Sequence, residues 1–388
     1  MNIPPYPLVP GERPGPLHFP QLDGLRGIAA LAVLVFHGWS LSGWTLRASD
    51  GPLLVAGNRL LSLGWSGVDV FFTLSAFLLS LPFVEAARAG RPAPAPGAYY
   101  ARRAWRILPA YWVQLLLLGV LFTATPLAPW PLLAHAGLWL NIGSEPVRPL
   151  VGVWWTLPVE AGFYLLLPLL ALLLRPRRWP WLLLLVLAAW AYRYQVLSAG
   201  LPRGLVVAWA DHLPGRIDQF VIGMLGAYAW VHAGLAQRLA ARGRQELLAL
   251  AGLAVLALLA ALPFWLGARA GPAPSPHPGL LAWHGAVSAG LLALLWVAAA
   301  GGSRTLGWLG SRPLRFLGAI SYSLYLWHYP LMLAARPHLG LLPAGPSRPF
   351  LFLLAMLPVC LVAAWLSWRL VERPAMARAR RSPAPRPA

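Results

Sequence analysis

The chain has 388 residues, of which 59% are hydrophobic and only 11% charged, and it carries a formal net charge of +20. A soluble domain carries roughly 25% charged residues to cover its water-facing surface, so a globule of this size and composition must turn much of its surface to lipid. The basic residues are all arginine and sit in short gaps between apolar runs, where they read as topology signals and exclude nucleic acid as the partner. The single cysteine, Cys360, excludes an intrachain disulfide and Cys-rich metal sites, and no metal is expected.

Crossing about 30 Å of hydrocarbon takes about 20 mostly apolar residues. In chain order such runs occur at 22–42, 58–83, 105–124, 152–174, 180–198, 214–236, 246–267, 279–300, 314–335 and 349–371. They predict an all-α fold, a polytopic membrane helical bundle of about ten transmembrane helices. A shorter run at 130–142 reads as a re-entrant or interfacial helix. The first run lacks a small-residue cleavage site and carries Arg26 and His37, so it is expected to stay as the first membrane helix. With the N-terminus inside, 22 arginines fall on inner segments and 9 on outer ones, Arg193 and Arg216 among the latter. That asymmetry predicts two cytoplasmic termini. A Pro-rich leader, 1–20, and a basic cytoplasmic tail, 375–388, flank a transmembrane domain at 21–374; neither flank holds enough apolar surface to fold alone.

Ionisable groups within a span carry a free-energy penalty and usually face the protein interior, so each marks a candidate site. The plain alternative is that they pair with one another and lock helix packing. Arg26 and His37 are eleven residues apart, which is three helical turns plus about 20°, so they share one face with His37 about 16 Å along from Arg26. One helix thus offers an anion anchor near its entrance and a titratable ring at depth. In the second run, Asp69 and Ser75 lie near the middle; Asp69 either orients His37, bonds a substrate hydroxyl, or pairs with an arginine elsewhere. Arg103 and Arg106 share a face at the start of the third run, placed to grip phosphate oxygens or simply to signal topology. The fourth run buries Glu160 behind Pro158, with Tyr164 one turn on, and the proline reads as the mark of a broken, cavity-lining helix. Arg216 and Asp218 are expected to form a local ion pair. The ninth run lines up Ser321, Tyr322, Tyr325 and His328, of which His328 alone rises above ordinary aromatic packing.

Taken in order, the segments LDGLRGIAALAVLVFH, GVDVFFTLSAFLL, RRAWRILPAYW, WTLPVEAGFYLLLP, RIDQF, GAISYSLYLWHYP and the final ERP resemble the acyltransferase 3 family of membrane O-acyltransferases. The resemblance covers nearly the whole chain. It implies an acyl-CoA donor, most often acetyl-CoA, reached from the cytoplasm as a substrate, with no resident cofactor. It also implies His37 as the central catalytic residue, with Arg26, Arg103 and Arg106 serving the donor's anionic groups or the pocket. Ala76 stands where the family usually has Gly, and Pro158 and Ala161-Gly162 flank Glu160 where Ser and bulkier polar residues are common.

Three function classes follow. In O-acyl transfer to a carbohydrate or glycosylated acceptor, the hydroxyl needs a base, and an imidazole that titrates near working pH suits that role; His37 acts as base or as a transient acyl carrier, and Arg26 is a candidate for the oxyanion. A transporter or flippase would use the buried charges as an ion path, but the hydrophobic pattern lacks obvious inverted halves. A membrane scaffold explains the helices and leaves His37 and Glu160 without a purpose. The sequence carries no signal of assembly state.

Overall fold

The computed structural model describes residues 18–43, 51, 56–57, 60–121, 129–140, 149–265 and 281–381. The leader up to residue 17, the outer loop 269–279 and the last seven residues of the tail lie outside the described residues. A helix occurs at each of the ten predicted positions. In chain order they are α1 (Pro20–Leu41), α2 (Gly67–Arg88), α3 (Pro96–Leu116), the short α4 (Pro129–Ala136), α5 (Thr156–Leu170), α6 (Trp181–Ser198), α7 (Arg203–Ala210) and α8 (Leu213–His232). The one-turn α9 (Leu235–Arg238), α10 (Arg242–Trp265), α11 (Trp283–Ala300), the one-turn α12 (Arg304–Gly307), α13 (Arg312–Ala335), α14 (Arg348–Ser367) and α15 (Arg373–Arg381) complete the described helices. Seven helical segments among the described residues are long and apolar enough to cross a membrane. α3, α8 and α13 have the length, but the first two carry the charges the sequence placed there, Arg102, Arg103 and Arg106 in α3 and Arg216 and Asp218 in α8.

Leucines on the outward faces of α10 and α14 stay exposed, Leu258 at 71% and Leu354 also at 71%. A water-soluble fold would not leave so much apolar surface uncovered. In lipid, apolar burial gives helices little reason to associate, so close packing over small residues takes its place. α1 and α13 show this most clearly. They run parallel, and their backbones approach so closely that a Cβ on Gly318 would sit 2.0 Å from the Asp23 carbonyl oxygen, while one on Gly24 would sit 1.9 Å from that of Leu309, in the 3-10 turn Trp308–Gly310 that leads into α13. The two glycines therefore set the register that brings His37 to His328. α2 and α8 pack similarly, with Gly223 against Ala76 and the Thr73 carbonyl. The missing Cβ of Gly223 makes room for the methyl that Ala76 adds.

Three boundaries differ from expectation, each for a local reason. Pro158 breaks nothing. α5 starts two residues before it, after a 3-10 turn at Gly152–Trp155, so the proline's missing N–H is one that a helix start leaves unpaired anyway. Helix α3 begins at Pro96, ahead of its apolar stretch, with Pro again in the first turn. At the C-terminal end a π-helical turn, Trp368–Glu372, leads from α14 into α15, so the tail is helical through Arg381. α15 is held by packing on α3, where Ala375 is buried and Met376 sulfur accepts from Arg106.

Candidate active site

Among the described residues, the candidate site residues fall into three polar groups inside this bundle. The first surrounds His37, on α1 one turn before that helix ends. Its Nδ1 lies 2.9 Å from the carbonyl oxygen of Val33 and 3.1 Å from Nε2 of His328 on α13. Nε2 of His37 makes no hydrogen bond among the described residues. The Tyr329 ring meets the imidazole edge-on at a centroid distance of 5.1 Å. α13 is fixed at this level by Tyr325, whose hydroxyl bonds Thr156 Oγ1 (2.9 Å) and donates to the Val153 carbonyl (2.7 Å). Gln114 of α3 adds a second brace, donating to the Leu326 carbonyl at 2.6 Å and accepting from Trp154 Nε1 at 2.8 Å. The bonds made by Tyr325 and Gln114 join elements far apart in sequence, so His328 is held by the tertiary fold.

The second group gathers at the N-terminal end of α1. Arg26 lies within electrostatic reach of Arg106, Asp23, Tyr164 and Glu160. Its guanidinium has no hydrogen-bond or ion-pair partner among the described residues. Glu160 accepts from Ser75 Oγ (3.2 Å) and from the Tyr164 hydroxyl, which binds α2 to α5 at this point. Arg103 is half-buried on α3 with its Nε unpartnered, and its charge is felt at Tyr164. Arg106 does not share that freedom. It pairs with Glu372, a fully buried carboxylate that also accepts from Ser323 Oγ at 2.8 Å, and it sits over the Tyr322 ring at 5.9 Å. The π-helical turn ends at Glu372; such turns shift the register of side chains and are frequent at functional sites. Arg26 keeps company with this basic cluster and does not reach His37, since three helical turns separate them. The oxyanion role expected of it does not match that position.

The third group lies around the start of α2. Asp69 does not touch His37. Its Oδ1 accepts from Gln219 Nε2 and lies 3.1 Å from His284 Nδ1 and 3.7 Å from Arg216. Of the alternatives open for Asp69, the structure therefore shows the arginine partner. The expected Arg216–Asp218 pair does not form. Arg216 pairs with Asp211, and Asp218 takes Arg193 at 2.6 Å and Trp190 Nε1 at 3.1 Å. The two residues lie on different sides of α8, because a spacing of two turns the helix by about 200°. Arg193 and Arg216, counted as outer-side topology charges, are both buried within this network. A buried guanidinium that is paired and hydrogen-bonded belongs to packing. Ser321 also turns inward, to the Gly318 carbonyl, and Tyr322 donates to the Ile107 carbonyl, so neither has its hydroxyl hydrogen to spare for a ligand.

Sequence reasoning missed Glu372, His284, Gln219, Gln114 and the ion-pair role of Arg193. Only Glu372 left a signal, as the acid of the closing ERP segment. Among the described residues, no three or more His, Cys, Asp or Glu gather in a way that could hold a metal ion.

The bundle thus holds an imidazole between two helices, with a basic cluster three turns away along α1. Comparison with known families shows where such a chain belongs. The sequence matches the family described as acyltransferase domain, acyltransferase 3, over residues 19–369, and the chain belongs to this family. It is similar to the O-acetyltransferase OatA of Staphylococcus aureus, with 24% identity over 390 residues. It is also similar to the putative peptidoglycan O-acetyltransferase YrhL of Bacillus subtilis (25% over 389 residues) and the peptidoglycan O-acetyltransferase OatA of Listeria monocytogenes (24% over 398 residues). Each alignment covers 92% of this chain, whereas the share of the relative covered is 57%, 55% and 56% respectively, so the chain spans little over half the length of the relatives it matches. No solved structure matches it significantly.

Proposed function

We propose that the chain is a membrane O-acyltransferase that moves an acetyl group from acetyl-CoA, approaching from the cytoplasm, to a hydroxyl of a cell-envelope glycan, with His37 as the catalytic base. The observation that carries this reading is the arrangement along α1. An imidazole is anchored through Nδ1 with its Nε2 unengaged by the described residues, and Arg26, with no partner among them, stands about 16 Å away along the same face. The anionic end of the donor has Arg26 and Arg103 to bind. Its extended pantetheine arm lies along α1 and presents the thioester near His37, one turn from the opposite end of the helix. The glycan hydroxyl then meets His37 from that opposite side, as the peptidoglycan acceptor named for the Listeria relative would require.

Chemistry sets what the site must supply. An alcohol with a pKa far above neutrality attacks poorly until a base takes its proton, and a positioned base contributes on the order of a hundredfold or more. The test is His37→Ala in isolated membranes supplied with radiolabelled acetyl-CoA, following both label transfer to glycan and release of free thiol. The variant is expected to insert at wild-type abundance and to lose both signals. Wild-type thiol release by His37→Ala would remove the assignment. A wild-type chain that releases no thiol at all would favour transport without acyl chemistry.

A further inference from the structure

His328 has no established part in this site, and its position assigns it one. Its Nδ1 lies 3.0 Å from the Leu324 carbonyl oxygen, an atom that only accepts, so Nδ1 carries the hydrogen. In the neutral ring Nε2 is then a lone pair, and it points at Nδ1 of His37. That atom faces two acceptors, His328 Nε2 and the Val33 carbonyl, so it carries a hydrogen as well. Its own Nε2 is left as the basic nitrogen. Both tautomers are assigned from the acceptors around them, and the two assignments agree.

The two acceptors are not equivalent. Val33 belongs to the same helix as His37, and as the residue one turn before it offers a carbonyl that also serves the helix backbone. His328 comes from another helix with its own N–H already satisfied and its remaining lone pair committed to His37. Other groups near the two rings are poor substitutes. Tyr329 lies across the His37 ring at an interplanar angle of 83° without a hydrogen bond to it, and the Cys360 sulfur lies 3.9 Å from the His328 carbonyl. Among the described residues no carboxylate bonds to His37. Asp69 is held by Arg216, Gln219 and His284, and Glu160 by Ser75 and Tyr164.

We infer that His328 is a positioning residue for the reaction, a neutral acceptor doing for His37 what a carboxylate does for the histidine of a catalytic triad. This rests on the reading of His37 as the base. In the step itself, the acceptor's O–H proton passes to His37 Nε2 while its oxygen attacks the thioester carbonyl. Collapse breaks the C–S bond, and the same proton passes from Nε2 to the departing thiolate. Nδ1 keeps its hydrogen throughout. While the ring is an imidazolium, its Nδ1–H bond to His328 is charge-assisted and roughly twice as strong as in the neutral ring. The bond therefore favours the transition state over the ground state, which is the condition for raising the rate. A neutral partner suits this depth, because a second unpaired charge in the bundle would need its own counter-ion.

The experiment compares His328→Leu with His328→Gln in membranes, measuring thiol release against acetyl-CoA concentration and normalising to the amount of inserted protein. His328→Leu is expected to lower kcat by about tenfold to a hundredfold, within the range for acid–base groups, at an unchanged KM for acetyl-CoA. His328→Gln, which returns an acceptor oxygen near the lost Nε2, is expected to recover most of that rate. A wild-type kcat for His328→Leu, or no recovery with His328→Gln, overturns the inference. Wild-type protein with 15N-labelled histidine in nanodiscs gives a test independent of any fold defect. His37 and His328 are both expected to show a protonated Nδ1 and an unprotonated Nε2, and a His37 ring protonated at Nε2 alone rules the arrangement out. His37→Ala in the same assay separates the two readings: if it stays active, the base assignment falls, and the role of His328 falls with it even though the tautomers stand.

Discussion

Replacing Glu372 by Ala strips Arg106 of its counter-ion and Ser323 of an acceptor at one stroke. Removing one partner of a buried ion pair costs about 3–5 kcal/mol, because the other charge stays behind uncompensated. Two features place Glu372→Ala at the low end of that range. The Arg106 side chain is 21% exposed, against 0% for Glu372, so the stranded guanidinium is partly rehydrated. Ser323 Oγ keeps a second neighbour in Ser367 Oγ at 3.2 Å. The expected loss is about 3 kcal/mol, or about two orders of magnitude in the folding equilibrium. Reversible unfolding in mixed micelles measures it. The same reasoning demands that Arg106→Met combined with Glu372→Met be far milder than the two single losses added, since no charge is then left unpaired. A loss below about 0.5 kcal/mol for Glu372→Ala would refute the account, as would a double variant no better than the sum of its parts.

Gly318→Ala tests the close approach of α1 and α13. The added methyl would start 2.0 Å from a backbone oxygen, an atom with no flexible end to yield, so the helices must part. The expected destabilisation is about 3 kcal/mol, the upper end for overpacking, with kcat falling as His37 and His328 separate; Gly307→Ala, which meets nothing within 4 Å, is the control. Equal melting temperatures for the two variants would count against the packing argument. Arg103→Ala is expected to raise the KM for acetyl-CoA about tenfold, the worth of one charge-assisted bond. Its melting temperature should stay unchanged, since Arg103 has no ion pair among the described residues. A lowered melting temperature with a normal KM would mark Arg103 as structural.

The arginines of the outer count show how far a one-dimensional reading carries. Arg193 and Arg216 looked like topology charges because each stands near the end of an apolar run. Arg193 is in fact swallowed by Asp218 of α8, and Arg216 by Asp211, five residues before it, with Asp69 of α2 at 3.7 Å. His328 was visible as a polar residue at depth, but its partner is 291 positions away, and that of Arg106 is 266 away. Glu372 was legible only as part of a terminal motif, and nothing local gave it a function.

What the sequence settled by itself is whatever depends on neighbours along the chain. Hydropathy summed over one helix decides whether that helix sits in lipid, and the 100° turn per residue puts Arg26 and His37 on one face whatever packs against it. The choice of partner belongs to the tertiary structure. In lipid most faces of a span are apolar, so the pattern of one helix fixes neither its rotation about its own axis nor its neighbours. Those were decided where backbones touch, at Gly24, Gly223 and Gly318. Those contacts turn His328 toward His37, deliver Asp69 to Arg216, and leave Arg26 without a partner among the described residues.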